Sequence, residues 1–312
     1  MSVPSFNRQS TLIQPARSAM ATVGEDLREL WQYRRLISVL AARQLRLRYK
    51  NSAIGVVWSL IIPCVQAFAM TFAVGFILNS GPRNMGSFVF CALLPWTFFT
   101  NAVLDGSSSV LTYQDLLKKV YMPREVMPIS TVLSNLFHFA MAMIVFLVFR
   151  YGLTTLFSGW PGWPPLAILW FPVVLAILMA FTLGVTFFLC AWTTFYEDVK
   201  YLVSTGMNLL YYFVPIIYFA ENIYYSTRVE PARLRHTLYY VYLLNPMAWV
   251  VTAFKQMFFG RQVISNRTAG AIYQSAPFDW RLCAVTGVVS VVFLVAGYLH
   301  FNHMKWKFTE RP

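Results

Sequence analysis

The chain contains six stretches of about 20 or more mostly apolar residues, each long enough to cross about 30 Å of hydrocarbon as a helix. They lie at about 54–78, 88–111, 128–149, 166–192, 201–219 and 283–301. None carries more than one formal charge in its interior. Because hydrocarbon cannot hydrogen-bond to exposed backbone, such stretches fold as helices. We therefore predict an all-α polytopic membrane protein with six transmembrane helices.

The distribution of basic residues predicts the orientation and argues against nucleic-acid binding. The net charge is +13, from 25 Lys and Arg against 12 Asp and Glu. With a cytoplasmic N-terminus, sixteen basic residues fall in inside segments and two in short outside loops. The other seven fall in one long outside segment, 220–282, where the positive-inside bias is weak. Both termini are therefore expected in the cytoplasm.

The region before the first apolar stretch divides into two parts. Residues 1–21 predict a flexible cytoplasmic tail, and residues 22–50 an amphipathic interface helix that starts at a capping box of Thr22 and Glu25. Residues 51–312 then form a single transmembrane domain. The basic residues at the end of the helix are Arg43, Arg46, Arg48 and Lys50. They indicate either anchoring to anionic lipid or binding of a partner protein or an anionic lipid substrate.

A short segment between the second and third stretches is unusually charged. Residues 115–128 read DLLKKVYMPREVMP and contain Lys118, Lys119, Arg124 and Glu125 together with Pro123 and Pro128. A connection that only reverses the chain needs fewer charged residues, so we expect a binding partner to dock here.

The long outside segment contains a well-delimited helix. Asn245 and Pro246 begin it, and Gly260 ends it. At about 14 residues it cannot cross the bilayer, which predicts an interfacial or re-entrant position.

The fifth stretch carries a stripe of aromatic residues. They are Tyr211, Tyr212, Phe213 and Tyr218. Such a stripe is typical of helix packing or of the membrane interface. It equally fits a conduit for sugars, whose ring faces stack on aromatic rings.

No catalytic or nucleotide-binding motif is present. The sequence lacks GxxxxGK[ST], GxSxG and HExxH, and its four His and four Cys residues show no metal-ligand spacing. Asp105 and His138 are ionisable groups inside the second and third predicted spans, which indicates either a proton relay or helix-packing hydrogen bonds. Spans with a docking segment and no energy source fit one half of a two-component pump.

Several segments together resemble permease subunits of polysaccharide-exporting ABC transporters, a family that moves O-antigen, capsule and teichoic-acid-like lipid-linked glycans. The segments are RLRYKNSAIGVVWSLIIP at 46–63, LLKKVYMPREVMPIS at 116–130, FYEDVKYLV at 195–203, PIIY at 215–218 and LLNPMA at 243–248. They follow the family's order over roughly residues 25–305.

The resemblance implies a division of labour between two kinds of subunit. The segment after the second span would be a coupling helix seated on a separate cytoplasmic ATPase, which binds ATP and Mg²⁺, so that this chain is non-catalytic and holds no cofactor. The candidate coupling residues are Tyr113, Asp115, Lys118, Lys119, Tyr121 and Arg124, with Glu197 and Asp198 in a smaller contact. Two permease copies would pair with two ATPase copies.

The resemblance also implies a substrate path at a homodimer interface. The candidate channel residues are Trp58, Tyr211, Tyr212, Phe213 and Tyr218, with gate helices in 221–260. The expected function is export of a lipid-linked polysaccharide across the bacterial inner membrane. A six-span exporter of a small molecule or drug, a membrane enzyme acting on lipid-linked sugars, and a self-sufficient porter are the alternatives.

Overall fold

In a computed structural model of the protein, the described residues are 28–50, 57–77, 85–119, 122–153, 162, 164–225, 232–260, 263–266 and 271–305. The predicted tail at 1–21, the capping box at Thr22 and Glu25, and Tyr121 lie outside them. The backbones of Trp58 and Lys118 are helical, but their side chains are not among those described.

The described residues are almost entirely helical. In chain order the helices are α1 Arg34–Tyr49, α2 Val57–Met70, α3 Met85–Ser107, α4 Ser109–Thr112, α5 Gln114–Lys119, α6 Val126–Leu147, α7 Phe171–Phe195, α8 Val199–Phe213, α9 Glu221–Tyr224, α10 Ala232–Leu243, α11 Pro246–Phe259 and α12 Trp280–Lys305. Two short strands, β1 Val263–Asn266 and β2 Ala271–Gln274, form an antiparallel pair and depart from the all-α expectation.

Four helical segments in the described part of the chain are long and apolar enough to cross a membrane. They are Met85–Ser107, Val126–Gly152, Leu166–Phe195 and Trp280–Lys305. The shortest has 23 residues, which is about 34 Å at 1.5 Å per residue. Their bounds agree within four residues with the second, third, fourth and sixth predicted spans, because an uninterrupted apolar run leaves the backbone no alternative to a helix.

The helices at the first and fifth predicted spans are shorter, so the six-span count is not confirmed by helix length. α2 contains Pro63 and passes at its end into a π-helical turn, Thr71–Ile77. α8 ends at Phe213, and the residues from 214 to 219 have no regular structure. Pro215 accounts for this end, because proline disfavours helical geometry in the residue before it.

α3 lies at the centre of the bundle. Its side chains are buried on nearly all sides, and it packs against α6, α7 and α11. Phe99 stacks on Phe181 of α7 with 5.5 Å between ring centroids. α12 is peripheral, since it packs mainly against α7 and leaves many apolar side chains exposed, as on a lipid-facing surface.

The contact between α7 and α12 depends on two glycines. A Cβ atom on Gly297 would lie 2.1 Å from the carbonyl oxygen of Gly184, and one on Gly184 would lie 2.5 Å from the backbone of Phe293. Any side chain at either position would push the two backbones apart. Close approach at small residues is the usual packing mode of membrane helices.

The two ends of the bundle differ in their elements. The α1 end carries α1, α4, α5 and the start of α6, which share an apolar cluster with the last turns of α7 and α12. The hairpin end carries the residues from 214 to 225, α10, α11 and the two strands. The predicted start and end of α11 are confirmed: the Asn245 side chain accepts a hydrogen bond from the Met247 amide at 3.1 Å, and Gly260 has φ of 61°. α11 is buried on nearly all sides, and its interfacial or re-entrant position stays a prediction.

Candidate functional site: a polar groove and the surface at the α1 end

A groove of about 700 Å³ runs along one side of the bundle, between α1, α2, α3, α6 and α8. Its lining mixes amide, hydroxyl and aromatic side chains with aliphatic ones. The polar and aromatic lining residues are Arg48, Tyr49, Gln66, Trp96, Thr97, Phe98, Thr100, Asn101, Asn135, His138, Phe139, Asn208, Tyr211 and Tyr212. Such a lining offers both hydrogen-bonding groups and flat ring faces to a polar ligand.

Of the predicted channel residues, two line the groove. Tyr211 and Tyr212 project from α8, and Tyr211 contacts Trp96 of α3 with 5.8 Å between ring centroids. Phe213 is 65% exposed, and Tyr218 lies past the end of α8. The Tyr218 hydroxyl donates to the Tyr212 carbonyl and lies 3.0 Å from the Tyr242 hydroxyl, so it braces the end of α8 rather than lining the groove.

The end of the groove at α1 holds a hydrogen-bonded ion pair. Arg48 of α1 lies 3.3 Å from the Asp105 carboxylate of α3. The Asn135 amide joins both, because its oxygen accepts from Arg48 at 3.3 Å and its nitrogen donates to Asp105 at 3.1 Å. The Arg48 and Asp105 side chains are 43% and 40% exposed. The network therefore fastens the end of α1 to α3 and α6 at a site that water reaches.

Further polar contacts fasten α1 along α6. The Tyr49 hydroxyl lies 2.7 Å from Nδ1 of His138, and Gln44 donates to the hydroxyls of Ser130 and Thr131 at 3.2 Å. Asp105 and His138 each bond to α1, which supports helix packing over a proton relay. Sequence reasoning missed Gln44 and Asn135, whose only signal was an uncharged polar residue within or beside an apolar run.

The predicted coupling segment forms a short helix on the α1 end. Asp115 and Lys119 of α5 are exposed. Leu116, Leu117 and the preceding Tyr113 turn inward and pack with Leu40 of α1 in the apolar cluster of this end. Burial raises the pKa of the Tyr113 phenol above its ordinary value. The segment thus has a charged, exposed face and an apolar face that packs in the cluster of the α1 end.

The loop after α5 is tied to the end of α12. Glu125 is 2% exposed, and its carboxylate lies 2.7 Å from the Lys305 ammonium. Arg124 donates to the Lys305 carbonyl and is half-buried, and this burial lowers the pKa of its guanidinium. Arg124 therefore has a partner within the chain, and its predicted contact with an ATPase stays a prediction.

The remaining predicted residues lie on the surface of the same end. Glu197 and Asp198 are exposed in the turn between α7 and α8. The basic residues of the α1 C-terminal part are all exposed: Arg43, Arg46, Arg48 and Lys50. Arg48 alone of the predicted basic cluster lines the groove.

The hairpin end contains a buried cation that sequence reasoning did not single out. Lys255 of α11 is 5% exposed, and its ammonium donates to the carbonyls of Pro215 and Tyr218, to the latter at 3.0 Å. It also lies 4.2 Å from the ring centroid of Phe88. These contacts satisfy backbone groups that the interruption after α8 leaves without helical partners. No cluster of three or more metal-ligating side chains occurs among the described residues.

Spanning helices beside a groove with a polar and aromatic lining define a multi-pass helical membrane protein suited to transport. The chain belongs to the ABC-2 type transporter family, whose profile matches residues 35–259. The family expected from residues 46–63 and 116–130 is therefore confirmed. Membership of a transporter family agrees with the expectation of a transport rather than a catalytic role.

Two relatives match nearly the whole chain. The O-antigen export system permease protein RfbA of Myxococcus xanthus is 31% identical over 284 residues, which cover 91% of this chain and 98% of the relative. A protein of the same name from Klebsiella pneumoniae is 24% identical over 278 residues, which cover 88% and 94%. The similarity thus includes both ends of the bundle and the groove.

Proposed function

We propose that the chain is the membrane-spanning permease subunit of an ABC exporter that moves a lipid-linked polysaccharide across the bacterial inner membrane. The relatives named as O-antigen export permeases support this substrate class because they match nearly the full length of the chain.

The observation that carries the proposal is the lining of the groove. Amides such as Gln66, Asn101 and Asn208 can exchange hydrogen bonds with sugar hydroxyls, while Trp96 and Tyr211 offer faces on which pyranose rings stack. Many weak contacts of this kind hold a chain without trapping it at one position. A lining of this composition suits a glycan better than an apolar drug, which needs few hydrogen-bonding groups.

The proposed topology has six crossings and both termini in the cytoplasm. The short helices α2 and α8 cross with the help of their irregular extensions and of a second copy of the chain. Exposed apolar side chains on both helices support that placement, among them Val65 and Phe68 on α2 and Leu209 and Phe213 on α8. In a homodimer these faces would bound a central channel.

The α1 end would receive the ATPase, which carries ATP and Mg²⁺. Asp115, Lys118 and Lys119 of α5 would contact it, with Glu197 and Asp198 in a second contact. Because α5 is rooted in the same apolar cluster as α1, and because α1 carries Arg48 and Tyr49 into the groove, movement of α5 would reach the groove directly. Exposed Arg43, Arg46 and Lys50 would attract the phosphate of the lipid carrier.

The test is native mass spectrometry of this chain co-expressed with its cognate ATPase, followed by an assay for glycan export in cells. The wild type is expected to give a complex of two permease and two ATPase chains. Lys118→Glu/Lys119→Glu should weaken the complex and reduce export together, because the outer face of α5 then changes sign.

The matched control is Arg233→Glu/Arg281→Glu, which makes the same change of charge at exposed positions on the hairpin end. It should keep the complex intact. A stable wild-type chain that never retains an ATPase would contradict the proposed function.

A further inference from the structure

We propose that Asp105 is a positioning residue that holds Arg48 at the mouth of the groove and gives up its place to a phosphate group of the lipid-linked substrate. This inference rests on the proposed function and deepens it. It assigns one polar contact at the mouth of the groove to the recognition of a diphosphate-bearing lipid.

Arg48 is placed to meet an anion. It carries the one formal charge among the described residues that line the groove, and it does so at the α1 end. A lipid-linked glycan presents its phosphate where the sugar joins the lipid, at the membrane surface. The sugar chain would then lie along the amides and rings farther into the groove, toward Tyr211 and Tyr212.

The bond between Arg48 and Asp105 is suited to exchange. Both side chains are about two-fifths exposed, and solvent weakens an ion pair in such a setting. A diphosphate that joins a lipid to a sugar carries two negative charges against the single charge of a carboxylate, and it can accept two parallel hydrogen bonds from a guanidinium. The substrate phosphate can therefore displace Asp105 from Arg48.

Asn135 keeps Arg48 in place during the exchange. Its amide oxygen accepts from Arg48, and its nitrogen donates to Asp105, so the guanidinium retains one fixed partner when the carboxylate leaves. The contact between Tyr49 and His138 holds the adjacent turn of α1. When the groove is empty, Asp105 supplies the counter-charge that an arginine beside the hydrocarbon needs.

The arrangement predicts opposite effects for the two partners. Removing the carboxylate removes a competitor, so Asp105→Asn should bind a lipid diphosphate more tightly. Removing the guanidinium removes the contact itself, so Arg48→Gln should bind it more weakly. A purely structural role for Asp105 predicts weaker binding for both variants.

The experiment uses the full chain in phosphatidylcholine nanodiscs, with geranylgeranyl diphosphate as the probe and microscale thermophoresis as the measurement. Asp105→Asn is expected to lower Kd at least threefold, and Arg48→Gln to raise it about tenfold, equivalent to about 1.4 kcal/mol. Asp105→Glu, which keeps the carboxylate, should have the same Kd as the wild type. In the Arg48→Gln background, Asp105→Asn should have no further effect.

Two controls match the changes of charge. Glu29→Gln is the control for the loss of a negative charge, and Arg35→Gln is the control for the loss of a positive charge. Both residues lie in the N-terminal helical region outside the groove lining, so both variants should leave Kd unchanged. Inorganic pyrophosphate is the second probe. Equal binding of pyrophosphate would show that the diphosphate alone is recognised, and preference for the prenyl form would show that the lipid contributes; the same order of variants with either probe supports the inference.

An unchanged or raised Kd in well-folded Asp105→Asn overturns the inference. If that variant does not give monodisperse protein, Asp105→Ser serves for the same comparison. Normal glycan export together with such a result would leave the proposed function intact. Conversely, the expected order of Kd values in a chain that exports no glycan would refute the proposed function and keep the Arg48 site.

Discussion

Each end of the bundle places a cation near the membrane interior, but the two cations differ in their exposure and in their hydrogen-bond partners. At the α1 end, Arg48 is half-exposed and shares its guanidinium between Asp105 and Asn135. At the hairpin end, Lys255 is buried and reaches two backbone carbonyls and an aromatic face.

The difference lies in what each cation replaces. Lys255 substitutes for the missing helical amides after α8, so its partners cannot leave without exposing carbonyls to an apolar interior. Arg48 has a side-chain partner that water or another anion can replace at small cost. The hairpin end is therefore expected to stay fixed while the α1 end changes partners, which suits a transporter driven from the α1 end.

The largest expected effect is that of Lys255→Met on stability. The carbonyls of Pro215 and Tyr218 would lose a charged donor inside the protein, at a cost of about 2–4 kcal/mol. Thermal unfolding in detergent should show a markedly lower Tm. The exposed Lys200, changed to Met, is the control and should shift stability by no more than about 0.5 kcal/mol.

Equal Tm values for the two lysine variants would contradict the view that the hairpin end is locked by Lys255. Because Met has nearly the length of Lys and packs well, the comparison isolates the loss of the donor from the creation of a cavity.

An intermediate effect is expected for Glu125→Gln, which sharpens the comparison within the α1 end. Glu125 is nearly buried, while its partner Lys305 is less so, at 3% and 18% side-chain exposure. Breaking the pair leaves an ammonium in a partly apolar setting, at an expected cost of about 1–3 kcal/mol in unfolding free energy. Chemical denaturation of the detergent-solubilised chain measures it.

The double variant Glu125→Gln/Lys305→Met is the matched control for that measurement. Because it removes both charges, it should recover part of the lost stability. The single variant Lys305→Met completes the comparison. If the double variant lost as much stability as Glu125→Gln and Lys305→Met lose together when measured separately, the two residues would not be coupled.

The helices that could be predicted from the sequence are those whose limits depend on local residues alone. The second, third, fourth and sixth spans were predictable because a long apolar run determines a helix without reference to the rest of the chain. The limits of α11 were predictable because each depends on residues within one turn of the helix end: Asn245 and Pro246 at the start, and Gly260 at the end. The end of α8 at Phe213 was not predicted, since an average over an apolar run does not register Pro215. The change of α2 to a π-helical turn after Met70 was not predicted either.

The candidate site was predictable in its residue types and not in its pairings. Asp105 and Arg48 were both conspicuous, yet 57 positions separate them in the chain, and no local pattern joins them. Lys255 passed unnoticed in the sequence because its partners lie at Pro215 and Tyr218. A buried cation is distinguished from an exposed one only by contacts that folding creates.

The smallest expected effect is that of Arg48→Gln on stability, and it is the most direct test of the comparison. The pair with Asp105 is exposed to solvent, so its loss should cost about 0–1 kcal/mol in unfolding free energy. The same variant is expected to weaken lipid-diphosphate binding about tenfold. Differential scanning fluorimetry of Arg48→Gln beside Lys255→Met makes the measurement.

A loss of stability in Arg48→Gln as large as that in Lys255→Met would mean that both cations hold the fold together. A small loss of stability with a large loss of binding would mean that one end of the bundle is built to hold its partners and the other to exchange them.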